Sequence, residues 1–252
     1  MLKPNPLAFC AAAALIIGLM SGCGGGGNDE KIPDLATEGG RVEEPQIPIR
    51  NAALLAGLRT LPPIPAELQE DHRGFNAVLH LLMHNPTWSK KVINGKTASR
   101  FKGVEEYLSL LHFINAFQTA RDLEKPYERL IKSLKGPSAD EEKKNALFAE
   151  LGLEPVAVDA IHEGLKSGQT VFVIDESDKE KKDLPFDQLP VQARIIGFAV
   201  GNGNERVAYL KKGEHWFGTN DEKFTKVNID YINQLGKDKS GATVFAVSYS
   251  AA

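Results

Sequence analysis

Histidine is the side chain best placed for acid–base or metal chemistry near neutral pH. In His80-Leu81-Leu82-Met83-His84, two imidazoles stand one helical turn apart, the spacing at which a single helix offers two zinc ligands. The glutamate of a His-Glu-x-x-His motif is missing, so there is no protease general base, and nothing adjacent nominates a third ligand. At ~100° per residue both rings fall roughly opposite Phe75 and Leu79, on a polar face with Arg73; the simpler reading is two solvated surface histidines. His112 sits inside an apolar run. It reads either as a core histidine held by one hydrogen bond or as a buried acid or base lining a pocket. His215 opens His215-Trp216-Phe217, which is either an aromatic ligand-contact edge or a hairpin strand with alternating burial. The candidates are therefore His112 and His215 for catalysis and His80 with His84 for metal, and no cofactor is implied.

The other chemistry-bearing patterns are incomplete. There is no Gly-x-Ser-x-Gly elbow and no phosphate loop of the Gly-x-x-x-x-Gly-Lys-Ser type. Gly201-x-Gly203 lacks a third glycine and precedes a strand rather than a helix, which excludes a dinucleotide fingerprint. Asp175-Glu176-Ser177-Asp178 lacks the spacing and glycine of a calcium loop. Glu105-Glu106 and Asp140–Glu142 fall at helix-surface or helix-start positions, where the helix N-terminus accounts for acidic residues without catalysis. Glycosidase-type carboxylate pairs meet only in the fold and stay open.

These residues need elements to position them. Asn51 is placed to cap a short helix, Ala52–Leu58, which Leu61-Pro62-Pro63-Ile64-Pro65 ends. Pro65 then suits the first turn of a helix over Ala66–His84 with Phe75, Val78, Leu79, Leu82 and Met83 on one stripe, stopped by Asn85-Pro86. Thr87–Arg100 reads as a loop. Lys102–Leu123 is apolar nearly all round and so is expected to be the buried central helix. A helix opened by Pro126 runs to about Leu134, and Ser138–Glu141 reads as a capping box for a helix to about Leu151. Pro155 starts a last helix, with Val156, Ile161 and Leu165 inward and Gly168 closing it. Strands follow at Thr170–Ile174, Ala193–Val200, Arg206–Lys211, His215–Phe217 and Ala242–Tyr249, with a hairpin turn at Gly201–Asn204. Asp175–Asp187 reads as a charged, solvated loop, and Val227–Leu235 as a helix in preference to a strand. The expected class is α+β, an N-terminal helical region followed by a mostly antiparallel sheet of four to five strands.

The first residues carry a separate signal. Lys3 precedes an apolar run from Leu7 to Met20, too short for a bilayer core that needs ~20 apolar residues. It matches the h-region of a secretory signal and ends in Met20-Ser21-Gly22-Cys23. Those residues resemble the lipobox of bacterial lipoproteins, with Met20 in place of the commoner leucine and one n-region charge rather than several. The resemblance implies cleavage before Cys23, a diacylglyceryl thioether on its sulfur and usually a further acyl group, such as palmitate, on its new amino group. Two or more acyl chains anchor stably. Gly24 stands where an inner-membrane retention signal would carry aspartate, which favours the outer membrane, facing the periplasm, in a Gram-negative cell. The division expected is then a signal peptide over 1–22, a flexible Gly-, Pro- and acid-rich tether over 23–50, a helical region over 51–167 and a sheet region with one helix over 168–252.

Composition narrows the function classes. The chain has 30 Lys+Arg and 33 Asp+Glu. Loss of Lys3 with the signal leaves a mature charge near −4, against a nucleic-acid binder. Cys10 leaves with the signal and Cys23 is the lipidated residue, so the mature body has no thiol for a disulfide, a nucleophile or a thiolate metal site. The expectation is a membrane-anchored envelope lipoprotein held to the bilayer through acylated Cys23. It binds a protein partner, with an immunity-type module as one subclass. The alternative is a tethered hydrolase acting on cell-wall or carbohydrate material.

Overall fold

The computed structural model describes residues 57–63, 69–135, 138, 140–174, 194–202, 205–219, 223–228 and 243–250. Cys23, the tether, the Asp175–Asp187 stretch and nearly all of Val227–Leu235 lie outside them. The class is α+β: helices first, then a seven-stranded, mostly antiparallel sheet.

The helices are α1 Gln69–Met83, α2 Pro86–Ile93, α3 Gly95–Arg100, α4 Glu105–Gln118, α5 Glu124–Lys135, α6 Glu141–Leu151 and α7 Ile161–Lys166. The strands are β1 Pro155–Val156, β2 Val171–Ile174, β3 Ile195–Asn202, β4 Glu205–Lys212, β5 His215–Thr219, β6 Phe224–Val227 and β7 Thr243–Tyr249. The sheet order is β1-β2-β7-β3-β4-β5-β6, with β1 and β2 parallel and every other pair antiparallel.

Helix α1 lies across β3, β4 and β7. It sits on a row of small residues: Ala208, Ala199 and Ala246 are register partners on adjacent strands, and all three are fully buried. Gly197 continues this floor. A Cβ there would meet Leu81 Cδ2 at 2.8 Å and the Tyr209 carbonyl at 3.0 Å, so a side chain would push the helix off the sheet. A bulge in β7 leaves Phe245 without a partner on β3, and Phe245 joins the helix-side core beside Gly74. The opposite face carries Phe172, Phe198, Tyr209, Trp216, Val247 and Tyr249, packed with Val158 and Ile161. There α7 presses on β2, and a Cβ on Gly164 would lie 2.3 Å from the Phe172 ring.

Several expectations need correction. Thr87–Arg100 is two helices, not a loop. Asn85 Oδ1 accepts from the Thr87 and Trp88 amides at 3.0 and 3.1 Å, and Asn94 Oδ1 accepts from Lys96 and Thr97 at 2.9 and 3.0 Å. Each asparagine is an N-cap, and Pro86 occupies the first helical turn. The helix expected from Pro155 begins only at Ile161, after the strand pairing of Pro155 and Val156 with Val173 and Ile174 and a 3-10 turn at Val158–Ala160. A proline is tolerated there because β1 is the sheet edge. Gly57 and Leu58 are not helical. Strands β1 and β6 lie beyond those expected, and among the described residues the sheet has seven strands rather than four or five.

The capping expectation at α6 holds in modified form. Asp140 accepts from the Lys143 amide at 3.1 Å, while Glu141 reaches back to the Ser138 amide at 2.9 Å. Glu105, exposed in an ion pair with Arg129, fits its expected surface position, whereas Glu106 is buried in the first turn of α4.

Candidate functional site

His80 and His84 are not solvated. Residues 76–83 of α1 are buried on every side, His80 completely, and His84 is half-buried at the helix end. The reason is that this end of α1 is enclosed by the edge strand of the sheet as well as by α4. Phe117 of α4 meets the His84 ring edge-on at 5.2 Å, and Phe224 of β6 meets both imidazoles edge-on at 5.9 and 5.8 Å. The two rings stack with centroids 6.0 Å apart.

The segment 57–63 closes this cluster from outside. The Arg59 amide donates to His84 Nε2 at 3.1 Å, and His84 Nδ1 contacts the His80 carbonyl at 2.8 Å. A carbonyl can only accept, so the hydrogen-bond network assigns the proton to Nδ1 and the lone pair to Nε2. Both nitrogens of a neutral imidazole are thereby used. The pKa agrees: burial first, then repulsion from His80 and from Lys212, lowers it from 6.5 to about 4, against a smaller upward pull from the His80 carbonyl. At neutral pH His84 is the neutral imidazole, its lone pair held by a backbone amide and its proton by a backbone carbonyl. Among the described residues no group of three or more His, Cys, Asp or Glu side chains is placed to hold a metal ion.

Arg59 also organises the end of α4. Its guanidinium donates to the carbonyls of Ala116 and Phe117, each at 3.0 Å, and to that of Arg121, and it stacks over the Phe117 ring. Ala116 and Phe117 carry two of the last carbonyls of α4, where a cation is favoured. The same turn is a Schellman motif: the Arg121 amide bonds to Ala116 and the Ala120 amide to Phe117. Ala120 holds the left-handed position at φ 54°, where glycine is usual.

The other candidates lie apart. His112 is exposed on the outer face of α4, neither a core histidine nor a buried acid. Its neighbours one turn away on that face, Leu108 and Asn115, are exposed too. His215 is half-buried at the start of β5 and is the register partner of Lys212. Trp216 stacks on Phe198 at 5.3 Å on one face while Phe217 joins the helix-side core. This is the alternating strand, not an open ligand edge. No side-chain ion pair or hydrogen bond of His112 or His215 is formed among the described residues.

Two organising residues escaped the sequence reading. Arg59 gave no local signal, because its partners are 25 to 62 positions away. Asn85 was visible only as a helix stop. It is fully buried, and its Nδ2 donates to Ser248 Oγ at 2.9 Å and to the Tyr249 carbonyl at 3.0 Å, locking the α1–α2 junction to β7. An asparagine directly before Pro-Thr is also an N-cap signature, and that reading would have found the helix if not the sheet contact.

Fold and site together define an α+β protein whose best histidine pair is a structural joint rather than a reaction centre. No family profile and no curated protein matches the chain.

Proposed function

We propose that this chain is an envelope lipoprotein, fastened to a bilayer through acyl groups on Cys23, whose α+β body binds a protein partner. One observation carries the reading: an apolar run of h-region length, Leu7–Met20, that ends in Met20-Ser21-Gly22-Cys23 and is followed by four glycines. No described helix is long and apolar enough to cross a membrane. One further observation supports the binding reading. The strongest pair of chemistry-bearing side chains, His80 and His84, is spent on holding α1, α4, β6 and residues 57–63 together. A tethered hydrolase built on His112 or His215 needs a carboxylate facing one of them, and no such pairing supports it among the described residues.

Intact mass of the protein purified from its own envelope tests the anchor. The expected product lacks residues 1–22 and carries diacylglyceryl and acyl mass on Cys23. A product that retains residues 1–22, or starts elsewhere without acyl mass, overturns it. Crosslinking of the native protein in its envelope, followed by identification of the captured chain, tests the binding role; recovery of the monomer alone counts against it.

A further inference from the structure

Charge is distributed unevenly over the body. The chain holds 33 Asp+Glu, yet residues 72–104 contain none, while Lys90, Lys91, Lys96, Arg100 and Lys102 fall between Pro86 and Val104. These cations lie on and just after the elbow formed by α2 and α3. Arg100 is matched by Glu150 of α6 at 2.8 Å. The four lysines form no ion pair among the described residues. Lys90, Lys96 and Lys102 are exposed, and between them Ile93 is 49 % exposed, the most exposed large apolar side chain among the described residues.

The elbow is rigid. Asn94 caps α3, Thr97 Oγ1 donates to the Lys91 carbonyl at 3.0 Å, Trp88 Nε1 donates to the Leu151 carbonyl at 3.0 Å, and Tyr107 donates to the Val92 carbonyl at 2.8 Å. Trp88, Val92 and Phe101 anchor its underside in the core. Ile93 is thus held outward by a built corner, and the entropy of ordering it is already spent in folding.

We propose that this elbow is a membrane-contact surface that seats the body on a bilayer containing anionic phospholipid. Ile93 enters the headgroup layer and Lys90, Lys91, Lys96 and Lys102 face the phosphates. The inference deepens the lipoprotein reading and rests on it for the tether. Charge complementarity selects the occupant, since a mature chain near −4 is repelled by an anionic surface except where this lysine-rich patch faces it, its neighbour Glu150 being already paired with Arg100. Proximity selects it again. A body anchored through Cys23 meets the bilayer at high effective concentration. The amphipathic pattern, an apolar tip ringed by lysines that reach outward, is that of an interfacial element.

The test uses the acylated protein, whose mature body offers no other thiol, carrying Ile93→Cys labelled with a polarity-sensitive fluorophore. Lys132→Cys on the exposed face of α5 is the control. Reconstituted in vesicles with about a third anionic phospholipid, the label at 93 shifts to the blue and the control does not; neutral vesicles or high salt abolish the shift. A second measurement keeps residue 93 native. Loss of the four lysines to glutamine lowers the fraction of bodies seated on the bilayer, each charge weighing roughly fivefold. Equal response at 93 and 132, or an unchanged seated fraction in the lysine variant, overturns the proposal. Binding of the elbow to soluble polyglutamate with no response to anionic vesicles also overturns it, in favour of an acidic protein partner. The anchor is judged separately by intact mass. An unacylated Cys23 with a responsive Ile93 site sinks the anchor alone, and an acylated Cys23 with a silent site sinks the elbow alone.

Discussion

Helices α1 and α4 have nearly equal length, 15 and 14 residues, and both carry histidines among apolar side chains, but the protein treats them oppositely. The more apolar of the two in sequence, α4, leaves Glu105, Leu108, His112 and Asn115 in solvent. The more polar, α1, is enclosed from Asn76 to Met83, with asparagine and histidine among its fully buried residues. Position in the layers decides this. Helix α1 rests on the sheet and is covered from behind by Phe117, Tyr127 and residues 57–63. Its polar side chains can be buried because partners wait for them: Tyr127 donates to Asn76 Oδ1 at 2.6 Å, and Arg59 donates to His84. Helix α4 packs on α5 and α2 and meets His84 through Phe117, and its remaining face, with Leu108, His112 and Asn115, is exposed. Apolar content measures what a helix is able to bury; the number of layers around it sets what it must bury.

The largest expected effect comes from removing what seats α1 on the sheet. Leu81 is fully buried over Gly197. Leu81→Ala is expected to cost about 3 kcal/mol, within the usual 2–5 for such truncations, whereas Leu108→Ala on α4 changes stability by about 0.5 kcal/mol or less. Urea denaturation of both variants checks the contrast, and equal losses would break it. Asn85→Ala comes next, at about 2 kcal/mol by the same denaturation, since it removes an N-cap and strands buried groups on β7.

Acid sensitivity should then separate the histidines. The folded protein holds His84 neutral, with a pKa near 4 instead of 6.5. The unfolded chain takes up that proton first as the pH falls. The contribution of His84 is therefore complete above pH 6.5 and declines as the pH drops toward 4, by up to about 3 kcal/mol. His84→Gln, which keeps an acceptor for the Arg59 amide, should flatten that decline relative to wild type. His112→Gln should leave it unchanged. Stability measured at pH 7, 5.5 and 4.5 distinguishes them. The smallest effect sharpens the comparison from the α4 side. Ala120→Gly at the left-handed position of the Schellman turn is expected to stabilise by about 0.5–1 kcal/mol. A loss of stability there would mean that the turn is held by something other than its backbone conformation.

The reading of local pattern succeeded where local chemistry is sufficient. Strands β2, β3, β4, β5 and β7, the antiparallel pairing of β3 with β4 as far as Asn202 and Glu205, and the helix that starts at Glu141 were all legible, because alternation, turn residues and caps are short-range. Pro155 misled for a related reason: a proline suits both a first helical turn and an edge strand, and only the presence of β2 alongside selects the strand. The site was less legible than the fold. The facing of His80 and His84 was derived from one helical stripe, which assumes a helix with one buried side.

The α+β class, the order of most helices and strands and the acid-free stretch around Lys90–Lys102 follow from the chain of residues alone, since each depends on neighbours within a few positions. Which helix becomes the centre, that His84 gives its lone pair to an amide 25 residues upstream, and that Asn85 binds a strand 163 positions away were decided by tertiary packing. The physical reason is that burial and hydrogen-bond satisfaction belong to the enclosing layers, which no single segment carries in its own pattern.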